Sequence, residues 1–173
     1  MAKCQNPTST FSLRCYGVTQ DHESKEYMLI LKYAEKGDLR DYLRDQFPEL
    51  TWTRKLRMLR SLSQNLFSIH SSGFTHLDLH PGNVLVMSEI ETVISDFGLA
   101  RHTDDSVHSK VYGVMPYVAP EILTEQQYSR AADVYSFSML MREICSGKPP
   151  LSQEHHGPLL SVRKSKTTYQ NAI

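Results

Sequence analysis

Two short runs of apolar, β-branched and aromatic residues open the patterned part of the chain. They cover residues 11–17 and 26–33, and a polar stretch at residues 20–25 separates them. Runs of this length divided by turn-forming residues predict a two-stranded antiparallel hairpin. The Lys-Gly-Asp sequence at residues 36–38 then breaks the pattern and opens a short helix, which is expected to end before Pro48.

Apolar residues at intervals of three and four predict two longer helices. The first follows Thr51, a residue type that caps helix N-termini, and stops at Gly73. Its apolar stripe, expected to face the core, comprises Trp52, Leu56, Leu59, Leu62, Leu66 and Ile69. The second covers residues 130–146, with Ser129 as the candidate N-cap and Gly147 as the stop. Its expected buried positions are Val134, Phe137, Leu140, Met141 and Ile144.

Shorter strands and unpatterned ends complete the chain. Residues 84–87 and 92–95 are predicted to form a pair of short strands joined by a polar turn. After the second helix the apolar periodicity is lost, so we expect residues 151–173 to form a disordered tail. The predicted organisation is a leader at residues 1–10, one domain at residues 11–150, and that tail.

Composition narrows the range of partners. Of 173 residues, 40% are hydrophobic and 22% are charged, which fits one globular domain with a core. Lys plus Arg and Asp plus Glu both number 19, so the zero net charge gives no general reason to expect nucleic acid or an anionic membrane as a partner. The sequence has neither a long apolar run nor a signal-peptide pattern, and its three cysteines are widely spaced. The expected location is therefore the cytoplasm, or alternatively the nucleus.

The residues that carry chemistry cluster in one stretch. Residues 76–83 are His-Leu-Asp-Leu-His-Pro-Gly-Asn, and Asp96 begins an Asp-Phe-Gly tripeptide 18 residues after Asp78 and 13 after Asn83. Transfer of a phosphoryl group from ATP needs a carboxylate to orient the attacking hydroxyl, and an amide with a second carboxylate to hold Mg²⁺. We therefore predict Asp78, Asn83 and Asp96 as catalytic residues, with Asn83 and Asp96 as the metal ligands.

These motifs, with Ala-Pro-Glu at residues 119–121 and Asp-Val-Tyr-Ser-Phe at residues 133–137, resemble the catalytic C-terminal lobe of a protein kinase. The loop is most similar to that of the tyrosine-kinase-like group, and the resemblance covers residues 11–150. It implies an α+β fold, with a mainly helical C-terminal lobe and the last strands of the N-terminal lobe. It also implies ATP and Mg²⁺ as cofactors and a protein hydroxyl as substrate.

Parts of the family domain have no counterpart in this sequence. Nothing before Phe11 matches the family's glycine-rich loop, its strand Lys or its helix Glu, and no matching late helices follow Pro150. The chain is therefore expected to be a truncated kinase domain that is inactive by itself. Glu121, which the family pairs with an Arg from those late helices, is expected to lack its partner.

The same resemblance implies a nucleotide site. Leu31 would stand beside the adenine, whose edge would bond the backbone from Lys32 to Ala34. Asp38 would lie near the ribose, and Leu85 beneath the adenine.

Three further residues would support the site by resemblance to the family. His76 would support the Asp-Phe-Gly backbone, and Asp133 would hydrogen-bond the backbone of the catalytic loop. Phe97 would belong to a packed spine.

The sequence departs from the family at three positions. Leu77 replaces the Arg that usually binds an activation-loop phosphate, so little dependence on phosphorylation is expected. His80 and Val114 stand where serine/threonine kinases usually place Lys and Thr. The choice between Ser/Thr and Tyr as the acceptor therefore stays open.

Two other classes also fit part of the pattern. Small-molecule phosphotransferases of the aminoglycoside and choline kinase type share a His-x-Asp-x-His-x-x-Asn loop, but they lack the segment that here covers residues 96–121. A catalytically dead pseudokinase, or a truncated product that acts as a binding module, would fit the missing Lys and Glu.

Overall fold

The computed structural model describes residues 13–103, 113–125 and 129–150, which form a mainly helical body with three two-stranded antiparallel sheets. The strands in these ranges are β1 (Cys15–Gln20), β2 (Tyr27–Leu31), β3 (Phe74–Thr75), β4 (Val84–Val86), β5 (Thr92–Ile94) and β6 (Arg101–His102). The helices there are α1 (Leu39–Gln46), α2 (Trp52–Ser71), α3 (Pro120–Glu125) and α4 (Arg130–Ser146). The predicted α+β class is confirmed, whereas the predicted leader and tail lie outside the described residues.

The predicted hairpin is present, but its first strand, β1, lies further along the chain than the apolar pattern predicts. β1 pairs with all of β2 in antiparallel register. The carboxylate of Asp21 accepts the N–H groups of Glu23 (2.8 Å) and Ser24 (2.7 Å), which starts the turn directly after Gln20. The prediction of a strand that ends at residue 17 is therefore wrong, because this side-chain turn sets the boundary.

The predicted helix ends are confirmed by their caps. The side chain of Asp38 accepts the N–H of Asp41 (2.9 Å) at the start of α1. Thr51 accepts the N–H of Arg54 (3.4 Å) at the start of α2. The chain leaves α2 through Gly73, whose φ of +84° glycine adopts without steric cost.

The buried face of α2 is rotated from the predicted stripe. Its buried residues are Lys55, Met58, Leu59, Leu62, Asn65 and Leu66. Trp52 and Leu56 are 64% and 59% exposed, so their predicted core positions are wrong. At 3.6 residues per turn, Leu56 lies about 120° around the helix from Leu62. Asn65 takes an inward position because its amide donates to the backbone oxygen of Thr92 (3.1 Å).

α4 differs from its prediction in the same way. Its buried residues are Ala132, Asp133, Ser136, Leu140, Glu143 and Ile144. Val134 and Met141 are exposed, contrary to prediction. Asp133 and Glu143 face inward instead, because each carboxylate accepts hydrogen bonds there. Asp133 accepts from backbone N–H groups, and Glu143 accepts from the hydroxyl of Tyr117. Ser129 occupies the N-cap position, but its side chain makes no capping bond.

The main core lies between α1, α2, α4 and the β4–β5 pair. Its fully buried side chains include Leu39, Met58, Leu62, Val84, Leu140 and Ile144. At one end, the Nζ of buried Lys55 donates to the backbone oxygen of Cys145 (3.0 Å) and lies 3.7 Å from the ring centre of Phe47. This contact ties the start of α2 to the end of α4. No helix in the described ranges is both long and apolar enough to cross a membrane.

Candidate active site

The catalytic loop, residues 76–83, runs between two strand pairs. β3 pairs with β6 ahead of it, and β4 pairs with β5 after it. A 3₁₀ turn at Pro81–Asn83 closes the loop, and the Nδ1 of His80 accepts the N–H of Gly82 (3.1 Å). The pairing of β4 with β5 brings the loop beside residues 96–98, the Asp-Phe-Gly tripeptide.

One buried carboxylate holds the backbone of this loop. Asp133, which is 1% exposed, accepts the N–H of His76 at Oδ2 (2.8 Å) and that of Leu77 at Oδ1 (2.9 Å). The predicted bond from Asp133 to the loop is confirmed. Leu77 has a φ of +71°, a left-handed conformation that costs a non-glycine residue about 1–2 kcal/mol. The two bonds therefore stabilise a loop shape that the chain would rarely adopt alone.

Asp78 has one carboxylate oxygen held by a hydrogen bond and one without a hydrogen-bond donor among the described residues. The Nδ2 of Asn83 donates to its Oδ2 (3.2 Å) and to its backbone oxygen (2.9 Å). Its Oδ1 is buried and accepts no hydrogen bond from the described residues, and the Nε2 of His80 is 3.7 Å away. Burial by itself raises the pKa of this carboxyl, but the imidazoles of His80 and His76 and the Asn83 amide outweigh it. The pKa therefore lies below its ordinary value, and Asp78 is ionised at neutral pH.

Asn83 and Asp96 lie at the same end of the β4–β5 pair. The backbone oxygen of Asn83 accepts the N–H (2.8 Å) and the hydroxyl (3.1 Å) of Ser95, the residue before Asp96. Asp96 is exposed and accepts the N–H of Gly98 at Oδ1 (3.2 Å). Within the described residues, both side-chain hydrogen bonds of Asn83 are donated by its Nδ2, and no described residue donates to its Oδ1. Both residues thus keep an oxygen for another ligand.

The chemistry of these two side chains fits Mg²⁺. This ion prefers oxygen ligands, and proteins usually hold it through one or two side chains together with water and phosphate oxygens. Within the described ranges, no three His, Cys, Asp or Glu side chains cluster as a metal site. A cation at Asn83 and Asp96 would therefore take its remaining ligands from phosphate and water.

His76 joins the catalytic loop to the residues after β5, as the resemblance predicts. Its Nε2 bonds the backbone oxygen of Ser95 (3.0 Å), and its Nδ1 accepts the N–H of Asp78 (3.4 Å). Burial lowers the pKa of this imidazole, consistent with a neutral ring that carries its proton on Nε2. Phe97 contacts the ring edge-on, yet it is 44% exposed, so the packed position predicted for Phe97 is wrong.

Three of the predicted nucleotide residues come together where α1 meets β4. A backbone bridge pairs Asp38 with Leu85. Gly37, beside Asp38, donates its N–H to the backbone oxygen of Ala34 (3.1 Å). One oxygen of Asp38 is engaged as the α1 cap, so a ribose would have to use the other. The nucleotide roles of these residues stay predictions.

The other two predicted nucleotide residues lie on the hairpin. Leu31 ends β2, Lys32 follows it, and both are exposed. The N–H of Lys32 bonds the backbone oxygen of Arg14 (2.8 Å). An adenine edge could therefore use the carbonyl oxygen of Lys32, but not its N–H.

A small cleft lies beside Asp78. The catalytic loop, residues 113–122 and α4 line it. Gly113 has a φ of +117°, and a Cβ at this position would lie 3.6 Å from the buried Oδ1 of Asp78. Glu121, in the same segment, forms no ion pair with any of the described residues.

Sequence reasoning missed polar residues near the loop. The Nε2 of His70 lies 2.8 Å from the Oδ2 of Asp133. The hydroxyl of buried Tyr117 donates to buried Glu143 (2.5 Å), and burial raises the pKa of both groups. A single histidine in a helix gives no signal. Glu143 falls on the inward stripe of α4 with Leu140, and an acid at such a position could have been noticed.

Comparisons with known proteins identify the family. Residues 4–171 match the family described as protein tyrosine and serine/threonine kinase. Mitogen-activated protein kinase kinase kinase 20 of Arabidopsis thaliana is 32% identical over 161 residues, which are 87% of this chain and 46% of that protein. A G-type lectin S-receptor-like serine/threonine-protein kinase of Arabidopsis thaliana is 36% identical over 136 residues, or 73% of this chain and 16% of that protein. Serine/threonine-protein kinase PLK4 of Nematostella vectensis is 34% identical over 128 residues, or 73% of this chain and 13% of that protein.

The chain belongs to the protein kinase family. It spans less than half the length of each of these relatives. The matches do not favour a small-molecule phosphotransferase or a pure binding module. The assignment to the tyrosine-kinase-like group stays a prediction.

Proposed function

We propose that residues 13–150 are the catalytic part of a kinase that transfers the γ-phosphoryl group of Mg-ATP to a serine or threonine hydroxyl of a protein. The names of the relatives support serine and threonine as acceptors, since they are called serine/threonine-protein kinases. One observation carries the proposal. Asp78 is an ionised carboxylate with one oxygen held by Asn83 and the other, beside a cleft, without a hydrogen-bond donor among the described residues.

In this proposal Asp78 orients the substrate hydroxyl. A buried acceptor without a donor costs about 1–3 kcal/mol. A hydroxyl that donates to the Oδ1 of Asp78 would remove that cost, so the site favours a ligand with an O–H group. Because the carboxyl is ionised at neutral pH, it can also accept the proton as transfer proceeds.

Asn83 and Asp96 would hold Mg²⁺, which bridges phosphate oxygens and offsets the charge that develops during transfer. Asn83 has two tasks, since its Nδ2 restrains Asp78 while its Oδ1 is left for the metal. The carbonyl oxygen of Lys32, the backbone of Ala34 and the side chain of Leu85 would receive the adenine. The phosphates would need further ligands from elements that resemble a glycine-rich loop and its Lys.

The test is phosphate transfer from labelled Mg-ATP by this chain joined to a kinase N-terminal lobe. Matched peptides would carry Ser, Thr or Tyr at one position. Asp78→Asn and Asp96→Ala should each lower turnover by about 10²-fold or more. Asp45→Asn, a change of an exposed carboxylate on α1, is the control and should have no effect. Unchanged turnover in Asp96→Ala would refute the assignment, and a preference for the Tyr peptide would overturn the acceptor class alone.

A further inference from the structure

The second strand of the hairpin has an unusually apolar surface. All five side chains of β2 are apolar or aromatic, and each is at least 39% exposed. Successive side chains of a strand point to opposite faces, so both faces of β2 are exposed. Edge strands of natural proteins usually carry a charge, a proline or a bulge that prevents pairing with another chain. β2 carries none of these three features.

The backbone groups of β2 are divided between its two edges. The backbone oxygen of Glu26 and the N–H of Lys32 each bond a residue that flanks β1, over 2.8 Å in both cases. Bonds to one neighbour recur at every second residue of an antiparallel strand, so even-numbered residues bond the β1 side. The N–H and C=O groups of Tyr27, Leu29 and Leu31 therefore point to the other edge. Among the described residues, β1 is the only strand that pairs with β2.

We propose that this edge of β2 binds a second copy of the chain, with the two β2 strands antiparallel across a two-fold axis at Leu29. The two hairpins would then form one four-stranded sheet in the order β1–β2–β2–β1. The proposal concerns assembly alone and does not rest on the proposed function.

The sequence around β2 is complementary to itself in this register. Residues 26–32 are Glu-Tyr-Met-Leu-Ile-Leu-Lys, and Leu29 is their midpoint. Three kinds of pair face each other across the axis: Glu26 with Lys32, Tyr27 with Leu31, and Met28 with Ile30. Opposite charges and aromatic–aliphatic contacts at directly opposed positions stabilise antiparallel sheets. Glu26 and Lys32 are exposed, and neither forms an ion pair with a described residue.

The same register satisfies the backbone. Leu29 would exchange two hydrogen bonds with Leu29 of the second copy, and each pair of Tyr27 with Leu31 would exchange two more. An axis at an even-numbered residue would instead direct groups that already bond β1 toward the new strand. An axis at Tyr27 or Leu31 would shorten the overlap and remove the pairing of Glu26 with Lys32.

The other strand of the hairpin limits the assembly to two copies. In the four-stranded sheet the outer edges are the two β1 strands. The register of β1 shifts between Cys15 and Gly17, and such a bulge interrupts the regular spacing of backbone groups that a further strand would need. A two-fold interface of this kind is closed, so the expected product is a dimer and not a filament.

The interface is small, since β2 contributes five residues from each copy. Interfaces well below the standard size give weak association, so we expect a dissociation constant of about 0.1–1 mM. The chain should therefore be monomeric at about 10 μM and largely dimeric at about 1 mM. A two-stranded hairpin has little stability by itself, so the four-stranded sheet should also protect the β2 amides from exchange.

The first experiment is sedimentation equilibrium of the full 173-residue chain over this concentration range. Leu29→Lys places two like charges opposite each other on the axis and should abolish the dimer. Phe67→Lys is the matched control, because it makes the same kind of change at a residue of α2 that is 74% exposed. It should leave the dimer unchanged, and circular dichroism checks that both variants are folded.

The second experiment tests the register by exchanging charges. Glu26→Lys and Lys32→Glu should each weaken association about tenfold, because either change creates two like-charged pairs per dimer. The double variant restores opposite charges and should recover the affinity of the unchanged sequence. Recovery of this kind would support the axis at Leu29, and a double variant as weak as the single ones would overturn it.

Three results would overturn the proposal as a whole. These are a chain that stays monomeric at about 1 mM, equal loss of the dimer in Phe67→Lys, and growth to species larger than a dimer. In a chain that stays monomeric, slow hydrogen exchange at the N–H of Leu29 would show that another segment of the same chain covers the edge.

Discussion

The catalytic loop and the β1–β2 hairpin belong to one short chain but are supported very differently. In the loop, His76, Leu79 and Asn83 are 0%, 1% and 7% exposed. In β2, every side chain from Tyr27 to Leu31 is at least 39% exposed. The chemistry-bearing residues thus rest on α2, α4 and β5, whereas the strand expected to meet the adenine packs mainly against β1. The loop geometry therefore does not depend on packing against β2, so the proposed chemistry and the proposed nucleotide binding can be tested separately.

The largest expected effect is on the affinity of the chain for Mg-ATP. In our proposal Ala34, Leu85, Asn83 and Asp96 contact parts of Mg-ATP, whereas residues 1–12 contain no glycine that could match the family's phosphate-binding loop. Charge-assisted bonds contribute about 1.5–3 kcal/mol each. Losing two or more should weaken binding by about 10²-fold or more relative to the chain joined to a kinase N-terminal lobe.

Isothermal titration with Mg-ATP and a transfer assay on a generic protein substrate check this expectation. The 173-residue chain should bind weakly and transfer no measurable phosphate. Micromolar binding with turnover would show that the hairpin supports the nucleotide more fully than its exposure indicates.

A pair of leucine truncations tests the contrast in packing. Leu62, on α2, is fully buried, so Leu62→Ala should lower the free energy of unfolding by about 2–5 kcal/mol. Leu29, in β2, is 62% exposed, so Leu29→Ala should change it by about 0.5 kcal/mol or less. Urea unfolding followed by circular dichroism measures both. Similar losses in the two variants would mean that the hairpin contributes to the same cooperative core.

Glu143, in the helix α4 that supports the candidate catalytic loop, should make the free energy of unfolding depend on pH. Burial raises the pKa of Glu143, so the folded state holds this proton more tightly than the unfolded state does. The stability from this group is full below the unfolded carboxyl pKa and is lost as pH rises through the higher folded pKa. Glu143→Gln should remove that loss. Its free energy of unfolding should therefore fall less than that of the wild type as pH rises from about 4 to 8.

A second titrating group has the opposite sign and must be separated. Burial lowers the pKa of His76, so its contribution is present above the ordinary histidine pKa and is lost as pH falls through the lower folded value. His76 is present in both proteins, so it cancels in the difference between Glu143→Gln and the wild type. If the free energy of unfolding changed equally with pH in the two proteins, Glu143 would have the same pKa in the folded and unfolded states.

The smallest expected effect is that of phosphatase treatment. Leu77 cannot bind a phosphate as Arg would, so the turnover of the chain joined to a kinase N-terminal lobe should not change after treatment. Thr103, Ser106, Ser109 and Tyr112 lie between the Asp-Phe-Gly and Ala-Pro-Glu motifs and are the candidate phosphorylation sites. Of these four, only Thr103 lies in the described residues. Leu77→Arg is the informative comparison, because it should create a dependence on phosphate. A large drop in turnover after phosphatase treatment of the protein that retains Leu77 would contradict the expectation.

Local chemistry explains which parts of the fold could be predicted. The caps Asp38 and Thr51 and the left-handed Gly147 act within a few residues, so helix ends could be predicted from neighbouring positions. The faces of α2 and α4 could not, because distant partners decide them. Asp133 turns inward to meet N–H groups 56 and 57 residues away, which leaves Val134 exposed.

The candidate site divides in the same way. Asp78, Asn83 and Asp96 stand close in sequence, and one loop and one strand pair bring them together. Their spacing was therefore informative. His70 is 63 residues from Asp133, and no pattern within α2 marks it. Its contact exists only after two helices have packed.

The bonds from Asp133 also set a time order for the growing chain. His76 leaves the ribosome 57 residues before the carboxylate that holds its N–H. At roughly 5–20 residues per second, the intervening synthesis takes about 3–11 s. During that interval Leu77 has no acceptor to hold its left-handed φ, although α2 is already synthesised and β4, β5 and β6 are added before Asp133. The loop that carries the candidate catalytic residues is therefore one of the last parts of the described chain to take its final shape, and a nascent chain stalled before α4 should lack both the α4 side of the core and a formed loop.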